Sequence, residues 1–337
     1  MQITIATRLR PFSHTPGISF LLPGSSLRFQ IFPAKIFVHD LSVDEARLVK
    51  EIDMPLEGPV DGFTALQDLE KGFLLVWGWT PKGFVRYRIE RQDANEKEFA
   101  IIYEKHTQDI AKTDFSGYRI SDVERLSLGN HKAQDWDLIQ RRKSMVEIFP
   151  LWMRLGKITP KTTNDATESL LNQCQKAIST RDRKAIIPLF RQLYMAGFDV
   201  GLSPRKEDQH QGFKLPVCHH PLALLSEGSD QIRKLFVQSD QNLIEILPVL
   251  PPEFHSGRII QVECEGLGTV DLEWSKHLIR RMVFTACCDR EISFRFQKEI
   301  QRFRLRENAK DRGKIMTAGE VVAVKAGQKY YFDNFEK

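Results

Sequence analysis

The chain has 337 residues, 42% of them hydrophobic and 28% charged, a balance that excludes disorder as its main state and allows two or three packed units. Its 49 basic and 44 acidic residues leave a formal charge of +5, too dilute a surplus to point to nucleic acid, which needs a concentrated basic face. The five cysteines, Cys174, Cys218, Cys264, Cys287 and Cys288, show neither zinc spacing nor a disulfide framework, so reduced thiols, a cytoplasmic location, no metal and no cofactor are expected. The polar start MQITIATRLRPFSH predicts no signal peptide, and no run is long and apolar enough to predict a transmembrane segment.

Residues 1–125 read as β. TIATRL, GISFLL, SLRFQIFPAKIFVHDL, GFLLVWGW and GFVRYRIE are apolar or alternating runs punctuated by Pro11, Pro16, Gly17, Pro23, Gly24, Pro59, Pro81 and Gly83. Trp77 and Trp79 are two apart and share one side of their strand, with Val76 and Gly78 on the other. On the next run Arg86 and Arg88 alternate with Val85, Tyr87 and Ile89.

Composition changes at residues 126–241, which read as a helical and loop-rich insertion. Trp136, Ile139, Met145, Ile148 and Phe149 recur at helical spacing, with Asn130 as a candidate cap and Pro150 as the expected interruption. Further helices are predicted over 165–179 and 183–196, the latter ending at Gly197. The stretch 198–221 is too long for an ordinary connection and gathers Asp199, Asp208, His210, Cys218, His219 and His220. A short helix is predicted at about 229–236, since the preceding LALL run is too short to type.

From residue 242 to 337 the chain returns to β. IIQVEC, TVDLEW and LIRRMVF alternate as consecutive antiparallel strands, EISFRF and EIQRFRLR continue them, and Ala326 and Gly327 offer the turn between two closing strands in EVVAVKAGQKYYFDNF. The segments ILPVLPPEFHSGRI (246–259) and GTVDLEW (268–274), with the closing VVAVKAGQKYYF (321–332), resemble the C-terminal β domain of glycoside hydrolase family 95, the α-L-fucosidase-like enzymes. Such a domain follows a large (α/α) barrel in that family, and residues 126–241 are too few for that barrel. The resemblance therefore implies an accessory fold without the catalytic domain. The expected fold is mainly β with an α-helical insertion, a β-sandwich of the glycosidase accessory-domain type, in which 242–337 shares a core with 1–125.

Glycoside hydrolysis needs two carboxyl groups facing one another across the scissile bond. Asp53 with Glu57, Asp135 with Asp137, Asp199 with Asp208, Glu263 with Glu265 and Asp271 with Glu273 are all available, and their abundance selects none. Asp199, Asp208 and His210 in the long loop are the weak catalytic candidates, because His beside Asp can move protons near neutral pH. Sugar binding without hydrolysis needs only aromatic rings for stacking and planar polar groups for hydroxyls, for which Trp77 and Trp79 are the candidate substrate-binding pair. Arg302, Arg304 and Arg306 alternate with Phe303 and Leu305 and would place three guanidinium groups on one face. The reading is a non-catalytic carbohydrate-binding or scaffold protein with an oligosaccharide or protein partner. The alternatives are a reduced glycoside hydrolase and a structural protein–protein module.

Overall fold

Residues alternate between core and solvent along many of the strands, and a computed structural model describes residues 2–42, 46–54, 56, 58–92, 97–105, 120, 124–161, 169–205 and 221–337. The protein is mainly β, with 43% strand and 19% helix. The N-terminal region holds β1 (Phe12–Ser13), β2 (Ile18–Leu21), β3 (Leu27–Ile31), β4 (Lys35–Asp40), β5 (Arg47–Asp53), β6 (Asp61–Asp68), β7 (Phe73–Thr80), β8 (Gly83–Arg91) and β9 (Phe99–Lys105). They form two antiparallel sheets, ordered β2-β3-β4-β5 and β1-β6-β7-β8-β9. In β4 every second residue, Ile36, Val38 and Asp40, is buried, as the period of two requires for a sheet with one dry face. Phe29 on β3 meets Phe99 on β9 edge-on at 4.9 Å. Gln67 on β6 donates from Nε2 to the Leu21 carbonyl on β2 at 2.7 Å. The two sheets thus pack as a sandwich.

The chain continues through β10 (Arg125–Ser127), α1 (Trp136–Arg142), α2 (Met145–Ile158), α3 (Leu170–Ser179), α4 (Ile186–Gly197), the two-residue β11 (Phe198–Asp199) and β12 (Ser203–Pro204), and α5 (Ala223–Lys234). The predicted interruption at Pro150 falls elsewhere: Pro150 lies inside α2, and the break is at Lys143, whose left-handed backbone (φ 48°) ends α1 while its N–H bonds Ile139 O. Asp135, rather than Asn130, caps α1 by accepting from Asp137 N at 2.8 Å; Asn130 instead accepts from Lys132 N at 3.1 Å in a local turn. α5 begins earlier than predicted because the apolar LALL run supplies its first turns, with Leu222, Leu224 and Leu225 buried. α2 and α5 touch through glycine. A Cβ on Gly156 would lie 2.2 Å from Leu225 O, and one on Gly228 would lie 2.6 Å from the Trp152 ring.

The C-terminal region contains β13 (Val237–Asp240), β14 (Leu243–Ile246), β15 (Ser256–Cys264), β16 (Gly268–Ser275), β17 (Leu278–Ala286), β18 (Arg290–Arg295), β19 (Arg302–Arg306), β20 (Lys314–Thr317), β21 (Val321–Val324) and β22 (Lys329–Glu336). One sheet is ordered β10-β15-β16-β17-β22-β19-β20 and the other β13-β14-β18-β21. Phe294 of the smaller sheet packs on Phe284 at 5.3 Å and Phe332 at 4.8 Å of the larger. The expected closing hairpin is not one. β21 pairs with β18 and β22 with β17 and β19, so the turn at Ala326 and Gly327 carries the chain from one sheet to the other.

Several ties join the regions. The extended N-terminal segment gives Thr4 O to Arg258 at 3.0 Å and Thr7 O to Arg125 at 2.8 Å, then Leu9 O to Leu69 N at 3.1 Å. Glu124, 2% exposed, accepts from Arg233 Nε at 2.9 Å and Glu263 N at 3.2 Å and pairs with Lys157 at 3.5 Å. One cluster of buried apolar side chains extends from Leu9 to Phe332 through both sandwiches and the helices.

Candidate functional site

β7 buries Leu74, Val76 and Gly78 and turns Leu75, Trp77 and Trp79 outward. Trp79 is 58% exposed, an arrangement that costs hydrophobic burial and that a core requirement does not explain. The turn between β7 and β8 pairs Thr80 with Gly83, which sets Trp79 opposite Phe84 and Trp77 opposite Arg86. The Trp79 and Phe84 rings tilt together with centroids 4.9 Å apart. On the other flank Thr64 lies opposite Trp77, and its hydroxyl is 2.9 Å from His14 Nδ1.

The polar part of this face is set by Glu104 on β9. Its Oε2 accepts from Arg86 Nε and lies 2.6 Å from Arg86 Nη2, while Oε1 is 3.7 Å from Arg88. Arg88 also reaches Glu90 at 3.1 Å. The guanidinium and carboxylate planes are therefore held in fixed orientation beside the tryptophans, with donors and acceptors left over for hydroxyl groups. Tyr103, the neighbour of Glu104 on the same strand, lies opposite buried Tyr87 with ring centroids 5.9 Å apart and so turns to the core side of the sheet, where burial pushes its hydroxyl above its ordinary pKa.

Of the loop candidates, only Asp199 is among the described residues, and it sits elsewhere. Asp199 is half-buried on β11 and paired with Arg205 at 3.1 Å; Arg205 also donates to Ala196 O at 2.8 Å. This arrangement fastens the end of α4 to the β11–β12 hairpin, and the charge of Asp199 also acts on Arg28 of β3. Asp208 and His210 lie outside the described residues, as do Cys218, His219, His220 and Glu57.

The remaining carboxylates are mostly engaged. Glu273 stands between Arg258 at 3.1 Å and Arg281 Nε at 2.8 Å. Asp137 accepts from Thr15 Oγ1 at 3.1 Å, and Asp135 is the helix cap. Glu263, Glu265 and Asp53 are exposed. Asp271 is different: burial pushes its carboxyl up, against the Gln261 N–H that bonds it at 2.7 Å. It lines neither of two clefts among the described residues, of about 710 Å³ beside Lys157, Arg233 and Glu263 and about 390 Å³ beside Arg181 and Glu245. On the predicted basic face of β19, two of the three arginines share one carboxylate: Asp333 accepts from Arg304 Nε at 2.7 Å and pairs with Arg306.

Strand alternation alone misses two residues of this face, Phe84 and Glu104. Phe84 is signalled by the two-residue Pro81–Lys82 turn, which places a residue five after Trp79 opposite it. Glu104 carries no such signal, because the β8–β9 register shifts between Arg86 and Tyr87.

Among the described residues no group of three or more His, Cys, Asp or Glu side chains is placed to hold a metal ion. No described helix is long and apolar enough to cross a membrane. Residues 238–332 match the family model for the glycoside hydrolase family 95 C-terminal domain. That match spans β13 through the first half of β22, so this region is similar to a glycosidase-related accessory β domain. No curated protein matches the chain.

Proposed function

We propose that the protein is a non-catalytic carbohydrate-binding module whose binding face is the outer surface of the β7–β8–β9 sheet. The observation that carries this reading is the exposure of Trp79 beside Trp77 and Phe84, next to the fixed Arg86–Glu104 pair. Tryptophan rings offer apolar faces to the C–H side of a pyranose, and paired planar groups orient its hydroxyls. In this proposal the helical insertion at 126–241 joins β regions 1–125 and 242–337 around a shared core, and the family-95-like domain supports the binding sheet rather than a barrel. The partner is an oligosaccharide, and the location is cytoplasmic.

Calorimetry over a panel of soluble mono- and oligosaccharides, with product release followed on the same panel, tests the reading. Saturable binding without turnover is expected, and Trp79→Ala should weaken it about tenfold, or about 1.4 kcal/mol. Turnover abolished by changing Asp199, Asp208 or His210 would replace this reading with a reduced glycoside hydrolase. A protein-scaffold role has its own support in the β5 edge strand, where Leu48 and Val49 are 48% and 49% exposed.

A further inference from the structure

The cleft of about 390 Å³ at the junction of the α3–α4 connection, β14 and the end of β18 has an unbalanced charge. Arg181, Arg183, Arg295 and Lys298 line it against only Glu245 and Glu299. Glu245, its side chain 11% exposed, holds two of the arginines: Arg181 Nη2 donates to both its oxygens, at 2.9 and 3.1 Å, and Arg295 Nη1 donates to Oε1. Arg183 is fixed separately, with Nε donating to Leu250 O at 2.5 Å. Each guanidinium has five N–H donors. Among the described residues these bonds use one nitrogen of each, so most of the fork remains available in the cleft.

Two further features mark the place. Arg181 and Leu247, both in its wall, have left-handed backbones with φ of 56° and 52°, a conformation that costs a non-glycine residue about 1–2 kcal/mol and is retained where the surroundings over-determine it. Outside the cleft, His277 has its pKa lowered mainly by burial, with the charges of His255 and Arg183 as further causes. Ile246, Pro248 and Phe296 add apolar surface to the lining.

We propose that this cleft binds a compact ring-bearing oxyanion, a hexose phosphate or a hexuronate, with the phosphate or carboxylate between Arg183, Arg295 and Lys298 and the ring against Pro248 and Phe296. Glu245 acts as the clamp that fixes the spread of Arg181 and Arg295, so the anion meets an oriented fork rather than mobile side chains. The volume is within the range of small-ligand sites. The inference does not depend on the Trp77–Trp79 face, which belongs to a different sheet.

Calorimetry of the full chain with glucose 6-phosphate, glucuronate, inorganic phosphate and glucose tests it, the first two distinguishing phosphate from carboxylate. Saturable binding of at least one sugar anion is expected, with glucose silent and affinity falling as salt is raised. Lys298→Glu, at an exposed position, and Arg183→Ala should each weaken binding at least tenfold, while Trp79→Ala leaves it unchanged. The proposal is overturned if neither sugar anion binds, if Lys298→Glu binds as wild type does, or if inorganic phosphate binds as tightly as the sugar anion that binds best.

Discussion

Single side chains differ sharply in what surrounds them. Glu124 is buried between two cations, so Glu124→Leu would leave Lys157 without this carboxylate and Arg233 with only the Glu263 carbonyl; breaking such a pair typically costs about 3–5 kcal/mol, measurable by urea unfolding. Asp271 behaves in the opposite way. Its folded-state pKa is raised mainly by burial, so its carboxyl contributes stability below the ordinary aspartate pKa, and this is lost as pH rises through the folded value. Asp271→Asn keeps an acceptor for the Gln261 N–H and should gain stability relative to wild type between about pH 3 and about pH 7. An equal pH profile for the two proteins would contradict that assignment. Burial also pushes the Cys174 thiol up to about 12 and that of Cys264 up to about 11. Alkylation of folded protein at about pH 8 should therefore modify exposed Cys287 and spare both, as read by peptide mass spectrometry.

Elements show what their local sequence encodes and what it does not. Strand alternation in β4, β7 and β16 is written in the period of two, which is why the outward side shared by Trp77 and Trp79 is legible in the amino-acid pattern itself. The break between α1 and α2 is not, because Pro150 is the stronger local signal, while the actual stop depends on Lys143 adopting a left-handed backbone. The closing strands read as a hairpin from their turn; only the packing of two sheets shows that β21 and β22 separate. The same holds for the polar half of the candidate face, where Glu104 is brought to Arg86 by a shifted register. Packing between α2 and α5 gives a sharp test at the element scale. Gly156→Ala puts a methyl 2.2 Å from Leu225 O and should cost at least about 2–3 kcal/mol through overpacking. Gly266→Ala in the open β15–β16 turn meets no neighbour and carries only its φ of 67°, so about 1 kcal/mol is expected.

At the scale of the molecule, the N-terminal segment, Glu124 and the buried cluster tie the two β regions to the helices. The shared core proposed here implies that unfolding followed by near-UV dichroism and by tryptophan fluorescence should coincide, and two separated transitions would contradict it. The most direct measurement of the central proposal uses the distribution of the tryptophans. Trp136, Trp152 and Trp274 are buried, whereas Trp79 is exposed and Trp77 half-buried. Acrylamide quenching should therefore report chiefly on the outer face of β7. An oligosaccharide that binds there will protect the wild-type fluorescence from acrylamide in a saturable way, and the protection will vanish in Trp79→Ala. Saturable binding that leaves quenching unchanged would place the sugar elsewhere on the molecule and contradict the account.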